Sequence, residues 1–459
     1  MTFDKVIRKL TEVTIKGIKN VDNGTILLKE KNGNYLNLTG VYGQNGSGKT
    51  TLIDAMEIVK LLLLNQPIDN NVVDSLSVDK VAEITVSYDI VGHRMITYAV
   101  KLKRDGHRVA IVGEKLMTKT YTAHSHIRTL IAYDAMDKKI VDTKNKFSIN
   151  QLDLEVAKKS ALLHSQSFIF GTDFFERIKA KSDNKAYQEV FEVMAQFQAA
   201  ALDIVIHTDK FNGLLAAGIM LPLTFAVQLN NRQTSGTIGI DIASHHNDDN
   251  LYYDEEAKNI IEEVIAQIST VLNQIVPGVT LSTETHPRMK SDGNGQEFRI
   301  ELISNRDERH FPFRVESSGV QKLVSVLGVI ISAFNNENKV VLIDEFDAGI
   351  YEYMLGDLIK ILAEGVRGQI VFTSHNLHIL EMLDAKNIYF STNDSQNRYT
   401  KITNVKASNN LRSMYLREIV VGEKYYQETN RTDIKNALRG VDETHDGETI
   451  TEHGKLRDF

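Results

Sequence analysis

The 459-residue chain contains no cysteine. A disulfide framework and a thiolate metal site are both closed to it, and the absence suits a reducing compartment. Long apolar runs are missing as well. The longest, such as 324–334, fall well short of the roughly 20 residues that a membrane span needs. The first twenty residues spread their charge and hold no apolar centre, so a signal peptide is not expected. Positive charge is not in excess: the formal net charge of -7 argues against wholesale coating of nucleic acid, while leaving room for a local basic patch. Internal repeats, low-complexity tracts and sustained heptads are also lacking. A soluble, cytoplasmic protein with no membrane partner is expected. With 42% hydrophobic and 25% charged residues it can bury an ordinary core, and its length allows two or three domains or one large domain with insertions.

The pattern along the chain alternates between strands and helices. Residues 10–42 read as strands, the last leading straight into a glycine-rich loop, and 49–64 as a helix with apolar residues at helical spacing, ended by Pro67. From 82 to 117 three strand-like runs are separated by Gly92 and Asp105-Gly106, predicting antiparallel hairpins. Residues 150–230 look mainly helical, 235–250 reads as a loop, and 254–275 is a helix stopped by Pro277-Gly278. Strands follow to Arg314, then a helix from Gly319, a strand at 340–343, a helix near 354–364 and a strand at 369–373. The tail from Tyr426 is polar and charge-rich, expected to be an interaction arm or partly disordered.

Gly43-Gln44-Asn45-Gly46-Ser47-Gly48-Lys49-Thr50 matches the full G-x-x-x-x-G-K-[ST] pattern. It also lies between an expected strand and an expected helix, as that pattern requires. Glycines let backbone N–H groups curl around phosphates, and a helix N-terminus favours negative charge. Gly43, Asn45, Gly46, Ser47, Gly48, Lys49, Thr50 and Thr51 are therefore the expected nucleotide-binding residues. Lys49 would reach the β- and γ-phosphates of ATP, and the Thr50 hydroxyl would ligate Mg²⁺. A second motif, Val340-Val341-Leu342-Ile343-Asp344-Glu345, is a buried strand with acids at its C-terminal end, where α/β sheets place ligands. Asp344 would hold Mg²⁺ through water, and Glu345 suits a general base for the attacking water. His375 follows another buried strand in Val371-Phe372-Thr373-Ser374-His375-Asn376. The clusters His245, His246, Asp248, Asp249 and His124, His126 read as solvated loops rather than metal sites.

Glu316-Ser317-Ser318-Gly319-Val320-Gln321 resembles the signature sequence of ABC ATPases, with Ser318, Gly319 and Gln321 matching and Ser317 and Val320 departing. Ser318 lies about 26 residues before Asp344 and His375 about 31 after it. The resemblance implies an ABC-type P-loop NTPase head of α/β class with an antiparallel β subdomain and a mainly helical insertion. It also implies that the signature helix meets the γ-phosphate of ATP held by the opposite subunit of a homodimer or higher homo-oligomer. Asp347 resembles the D-loop residue that crosses such an interface. His375 resembles the switch histidine, and Gln166 is a candidate for the Mg²⁺-contacting glutamine of the Q-loop.

About 270 residues separate Lys49 from Ser318. Transporter domains place roughly a hundred there, and SMC proteins insert long coiled coils. The chain is instead similar to the RecF/OLD-like group of compact ABC ATPases of bacterial antiphage defence and abortive infection. That resemblance rests on the early Gly17-Ile18-Lys19-Asn20, the hairpin ending in Glu114, the motifs above, and a late Tyr415 to Gly422 element; Tyr351 departs from it, where many relatives carry His. OLD-type nucleases add a TOPRIM domain with an Asp-x-Asp cluster, and no Asp-x-Asp follows His375. The resemblance then implies a sensor or regulator whose effector, a nuclease, is a separate protein. A RecF-like repair ATPase that clamps DNA and a scaffold with little turnover remain open. The expected lobes are 1–145, 146–310, 311–425 and a tail at 426–459.

Overall fold

Period-two alternation sends successive side chains of a strand to opposite faces, and in this chain it divides the core in two. The computed structural model describes residues 6–122, 124–135, 151–208, 220–229, 232–242, 251–290, 295–402, 412–414 and 437. Strands β1 (Arg8–Lys16), β2 (Gly24–Leu27) and β3 (Leu38–Tyr42) precede helix α1 (Lys49–Leu63). Strands β4 (Ala82–Ile90), β5 (Arg94–Asp105), β6 (Arg108–Thr120) and β7 (Arg128–Asp134) come next. Then follow α2 (Gln151–His164), α3 (Thr172–Ala180), α4 (Lys185–Asp203) and β8 (Ile204–His207). A hairpin of β9 (Met220–Leu229) and β10 (Arg232–Asp241) leads to α5 (Glu255–Ile275), β11 (Val279–Met289), β12 (Gln296–Arg306) and β13 (Arg309–Pro312). The last stretch holds α6 (Ser318–Asn335), β14 (Val340–Ile343), α7 (Glu352–Gly365), β15 (Gln369–Ser374), α8 (Ile379–Met382), β16 (Ile388–Ser391) and β17 (Tyr399–Thr400).

The fold is mixed α/β. One sheet runs β2-β1-β4-β5-β6-β7, antiparallel throughout; another runs β17-β16-β3-β15-β14-β8, parallel apart from β17. In the second sheet Val41, Val340, Leu342 and Val371 face α1, α4 and the antiparallel sheet. Their neighbours Leu38, Val341, Ile343, Ile370 and Phe372 face α5, α6 and α7. Buried on both faces, β14 reads as an unbroken apolar run and β15 as one from Ile370 to Phe372, as parallel strands do. Helix α6 is apolar and long enough by composition to cross a membrane, yet it is a mostly buried core helix. It packs against α5 and β9, and its Leu323, Leu327 and Ile330 are each worth about 1.5–3 kcal/mol of buried apolar surface.

Residues 146–310, expected as a mainly helical insertion with flanking strands, hold more strand than the 150–230 stretch was expected to carry. Ile204-Val205-Ile206 continues the apolar run of α4 but forms the edge strand β8, parallel to β14. Three consecutive β-branched residues favour a strand over a further helical turn, and no glycine or proline announces the change. The β11–β12 hairpin lies where strands were expected after Gly278, whereas the β9–β10 hairpin falls on residues read as helix and loop, so the expected 235–250 loop begins as strand to Asp241. His245, His246, Asp248, Asp249, Tyr415, Gly422 and the tail apart from residue 437 lie outside the described residues.

Polar side chains join the layers. β1 bulges between Leu10 and Glu12, and the Gln369 amide accepts from the Leu10 N–H (2.7 Å) and donates to its carbonyl (2.8 Å). Asp203 accepts from Arg8 (3.1 Å) and Lys339 (3.2 Å), pinning the end of α4 to β1 and to the start of β14. Glu114, 1% exposed, accepts from Tyr98 Oη (2.6 Å), Ser167 Oγ (2.5 Å) and the N–H groups of Phe168 (2.7 Å) and Ile169 (3.2 Å). Burial pushes its carboxyl up in pKa against the pull of these four donors. Glu114→Ala leaves the donors unmet in a dry core, so a loss of about 3 kcal/mol is expected in urea unfolding; a change below about 0.5 kcal/mol would remove Glu114 as the joint between β6 and the helices.

Candidate functional site

Three parallel strands end side by side. Tyr42 of β3 is in register with Ser374 of β15, and Phe372 of β15 with Ile343 of β14. Neighbouring strands stand about 4.8 Å apart, so Gly43, Asp344 and His375 leave one sheet edge within about 10 Å. That is the edge at which parallel α/β sheets bind ligands.

The first of these loops has its tight turn built in. Gly48 sits at φ +97° ahead of α1, and a Cβ at Gly43 would come within 2.1 Å of Ser391 Oγ and 2.9 Å of the Ser391 carbonyl. Ser47 is buried, donates to the Gln44 carbonyl (2.7 Å) and bonds Ser391. Asn45, Gly46 and Thr50 face solvent, and Thr51 is buried beneath them. Lys49 donates to the carbonyls of Gly43 (2.9 Å) and Gln44 (2.8 Å). Burial lowers its pKa to about 8, against the raising effect of Asp344, Glu345 and Asp347. A phosphate would supply the negative charge that this half-desolvated ammonium lacks.

Asp344 is buried, and its Oδ1 accepts from Thr373 Oγ1 at 2.5 Å. Glu345 is one of six non-glycine residues at positive φ among the described residues, at +49°. That left-handed conformation costs about 1–2 kcal/mol and turns the chain sharply off β14. It is fixed from two sides: the Glu345 N–H donates to Thr373 Oγ1 (2.8 Å), and Lys322 Nζ of α6 donates to its carbonyl (2.8 Å). Asp347 Oδ2 accepts from the His375 N–H (3.0 Å), while its Oδ1 is buried without a hydrogen-bond partner. The His375 ring is open to solvent on one side and bonded to the Gly43 backbone. Desolvation by its neighbours and then the Lys49 charge push its pKa below the ordinary value, so it is neutral near pH 7.

Ser317 caps α6, its Oγ accepting weakly from the Val320 N–H at 3.4 Å, and Ser317 and Ser318 stand exposed. Gly319 abuts the Asp347–Gly349 turn, where a Cβ would meet the Gly349 carbonyl at 2.6 Å. Gln321 turns inward and donates to the Arg314 carbonyl (3.0 Å), so it braces the helix start rather than facing a ligand. Glu316 is held by Arg306 in two bonds (3.0 and 2.8 Å) and by Ser304 (2.6 Å).

Of the expected site residues, Gly43–Thr51, Asp344, Glu345, Asp347 and His375 gather at one sheet edge, and Ser318 and Gly319 adjoin it through Gly349. Gln166 does not. Its side chain donates to the Asn65 carbonyl (3.2 Å) just beyond the far end of α1, about 20 Å from Thr50 by helix length. Chosen from a loose sequence context, it belongs to the joint between α1 and α2. Of the residues that clasp the loop from outside, the sequence marks Asn20, within Gly17-Ile18-Lys19-Asn20, and leaves Arg398 and Tyr399 unmarked. Tyr399 Oη donates to the Gly48 carbonyl (2.6 Å), Asn20 bonds the Gly46 carbonyl, and Arg398 ties Asn20 to Thr392. Arg398 and Tyr399 are distant from the loop in sequence and belong to no motif.

The AAA ATPase domain family matches residues 9–380. The chain belongs to that family. Membership implies ATP binding and hydrolysis, and the matched span contains every residue of the sheet-edge cluster. No match was found among curated proteins. Solved structures with a similar fold include an Smc head bound to the C-winged helix domain of ScpA, at 13% identity over 87% of this chain and 99% of that one, TM-score 0.46. An Smc head with a coiled coil and joint derived from Pyrococcus yayanosii gives 12% identity, 90% and 99% coverage and a TM-score of 0.43. The SMC head domain from Thermotoga maritima gives 13% identity, 86% and 99% coverage and 0.33. Likeness at this level assigns no partner or role to the ATPase.

Phosphate bound beside Lys49 raises the pKa of its ammonium from about 8. Binding therefore takes up protons around that pH, and ATP affinity is expected to fall roughly severalfold between pH 7 and pH 9. Titration with a fluorescent ATP analogue at the two pH values checks this; equal affinities would mean that Lys49 does not meet the phosphates.

Proposed function

We propose that the ATPase works as a homodimer, or a higher homo-oligomer, with two composite ATP sites. The observation that carries this reading is the exposed N-terminus of α6. Ser318 is exposed there, its neighbour Gly319 adjoins the Asp347–Gly349 turn, and the helix-end donors present an anion site outward. Lys49 and the loop 43–50 of one subunit would bind ATP, and Ser318 and Gly319 of the other would close on its γ-phosphate.

The residues also suit Mg²⁺. Thr50 offers an exposed hydroxyl, Asp344 a buried carboxylate braced by Thr373, and Asp347 Oδ1 a buried acceptor without a protein donor. Thr50 and Asp344 would hold the ion, which when bound offsets charge on the phosphate oxygens. Lys49 exchanges its loop carbonyls for phosphate oxygens. Glu345 accepts a proton from the water that attacks the γ-phosphorus, while the bond to the ADP oxygen breaks. Neutral His375 can hydrogen-bond that water or the γ-phosphate without adding charge.

At the level of the cell we infer a regulator in a RecF/OLD-like antiphage defence system, governing a separate effector protein that is a nuclease. The quoted motifs support this, as does the spacing between Lys49 and Ser318. A RecF-like DNA clamp has one observation in its favour: Lys101, Lys103, Lys115 and Lys119 share the outer face of β5 and β6, with Glu83 opposite Lys101. Salt-dependent affinity for duplex DNA would favour that reading; co-purification of an effector from neighbouring genes would favour the first.

Lys49→Ala is expected to abolish nucleotide binding, and Glu345→Gln to bind ATP but accumulate as a dimer in native mass measurements. Turnover by Glu345→Gln at the wild-type rate would rule out Glu345 as the base.

A further inference from the structure

Thr373 is the penultimate residue of β15, wholly buried, and lies between the two acids that follow β14. Its hydroxyl carries one hydrogen and two lone pairs. The hydrogen goes to Asp344 Oδ1 at 2.5 Å, and a lone pair takes the Glu345 N–H at 2.8 Å. A single oxygen thus fixes the carboxylate of one acid and the backbone of the next. The second bond falls on the one non-glycine residue of this turn that holds a left-handed conformation, at φ +49°. The backbone pairing of the same strand reinforces it, since the Phe346 N–H donates to the Thr373 carbonyl (3.0 Å).

We propose that Thr373 is a positioning residue for hydrolysis: its hydroxyl sets the left-handed turn that aims the Glu345 carboxylate and, with the same atom, orients Asp344. It touches neither nucleotide nor attacking water. Its loss therefore acts on the rate of the chemical step more than on nucleotide binding. The inference rests on the hydrolytic roles proposed for Asp344 and Glu345.

The direct test compares Thr373→Val, which keeps the β-branched shape but has no hydroxyl, with Thr373→Ser, which keeps the hydroxyl. In Thr373→Val, kcat should fall by roughly tenfold or more while KM for ATP and the affinity for a fluorescent ATP analogue change by less than about threefold. The Mg²⁺ concentration for half-maximal turnover should rise. Thr373→Ser should recover most of the lost rate. Should Thr373→Val lose its cooperative thermal transition, Thr373→Ala replaces it, with the same loss expected at unchanged nucleotide affinity. Wild-type kcat in a hydroxyl-free variant, a Ser variant as slow as the Val variant, or equal losses of affinity and rate would each overturn the proposal. Wild-type protein with no turnover sensitive to Lys49→Ala would instead remove the ATPase reading on which it rests.

Discussion

The arrangement depends on the parallel register of β3, β15 and β14. Because Tyr42 stands beside Ser374, and Phe372 beside Ile343, three chain segments reach the same edge and turn away together. Lys49, Asp344, Glu345 and His375 all lie where these segments leave the sheet. The two-sided apolar packing of these strands makes the register hard to change, because a slip by one residue would exchange the side chains packed against α1 with those packed against α6. A rigid core thus sets the distances among loops that carry little stability of their own.

Those loops are held at an energetic cost. Lys49 is partly desolvated, Glu345 sits in a left-handed conformation, and Asp347 keeps a buried oxygen without a donor. Each is unfavourable in the free protein, and a bound phosphate with its cation would relieve the first and third. Thr373, Lys322, Tyr399 and Asn20 offset part of the cost by satisfying backbone groups of the turning chain. Strain and unmet charge concentrated at one sheet edge, with satisfied polar joints elsewhere, is the distribution expected of a binding site.

Much of this was legible in the sequence because the motifs are local. The loop 43–50, the strand 340–343 with its two acids and the strand before His375 each carry their own strand or helix context in a few residues, and the sheet brings them together. Legibility failed where the deciding contact is distant in sequence. β8 reads as the end of a helix because it continues the apolar run of α4, and its partner β14 lies far along the chain. Gln166 reads as a ligand because nothing local shows that it lies at the opposite end of α1 from Thr50. Gln321 matched the signature yet points into the fold. Arg398 and Tyr399 clasp the phosphate loop from a hairpin that no local pattern marks as functional.

The central claim is that each ATP site takes its loop from one chain and its signature helix from another. Mixing two inactive variants tests it most directly: Lys49→Ala, defective in the loop, and Ser318→Arg, defective at the exposed helix start. If sites are shared, half of the mixed dimers are heterodimers with one intact site. ATPase activity then recovers to about a quarter of wild type on mixing. Two variants that stay inactive together, although native mass shows the heterodimer, would place the whole site within one chain and contradict the account.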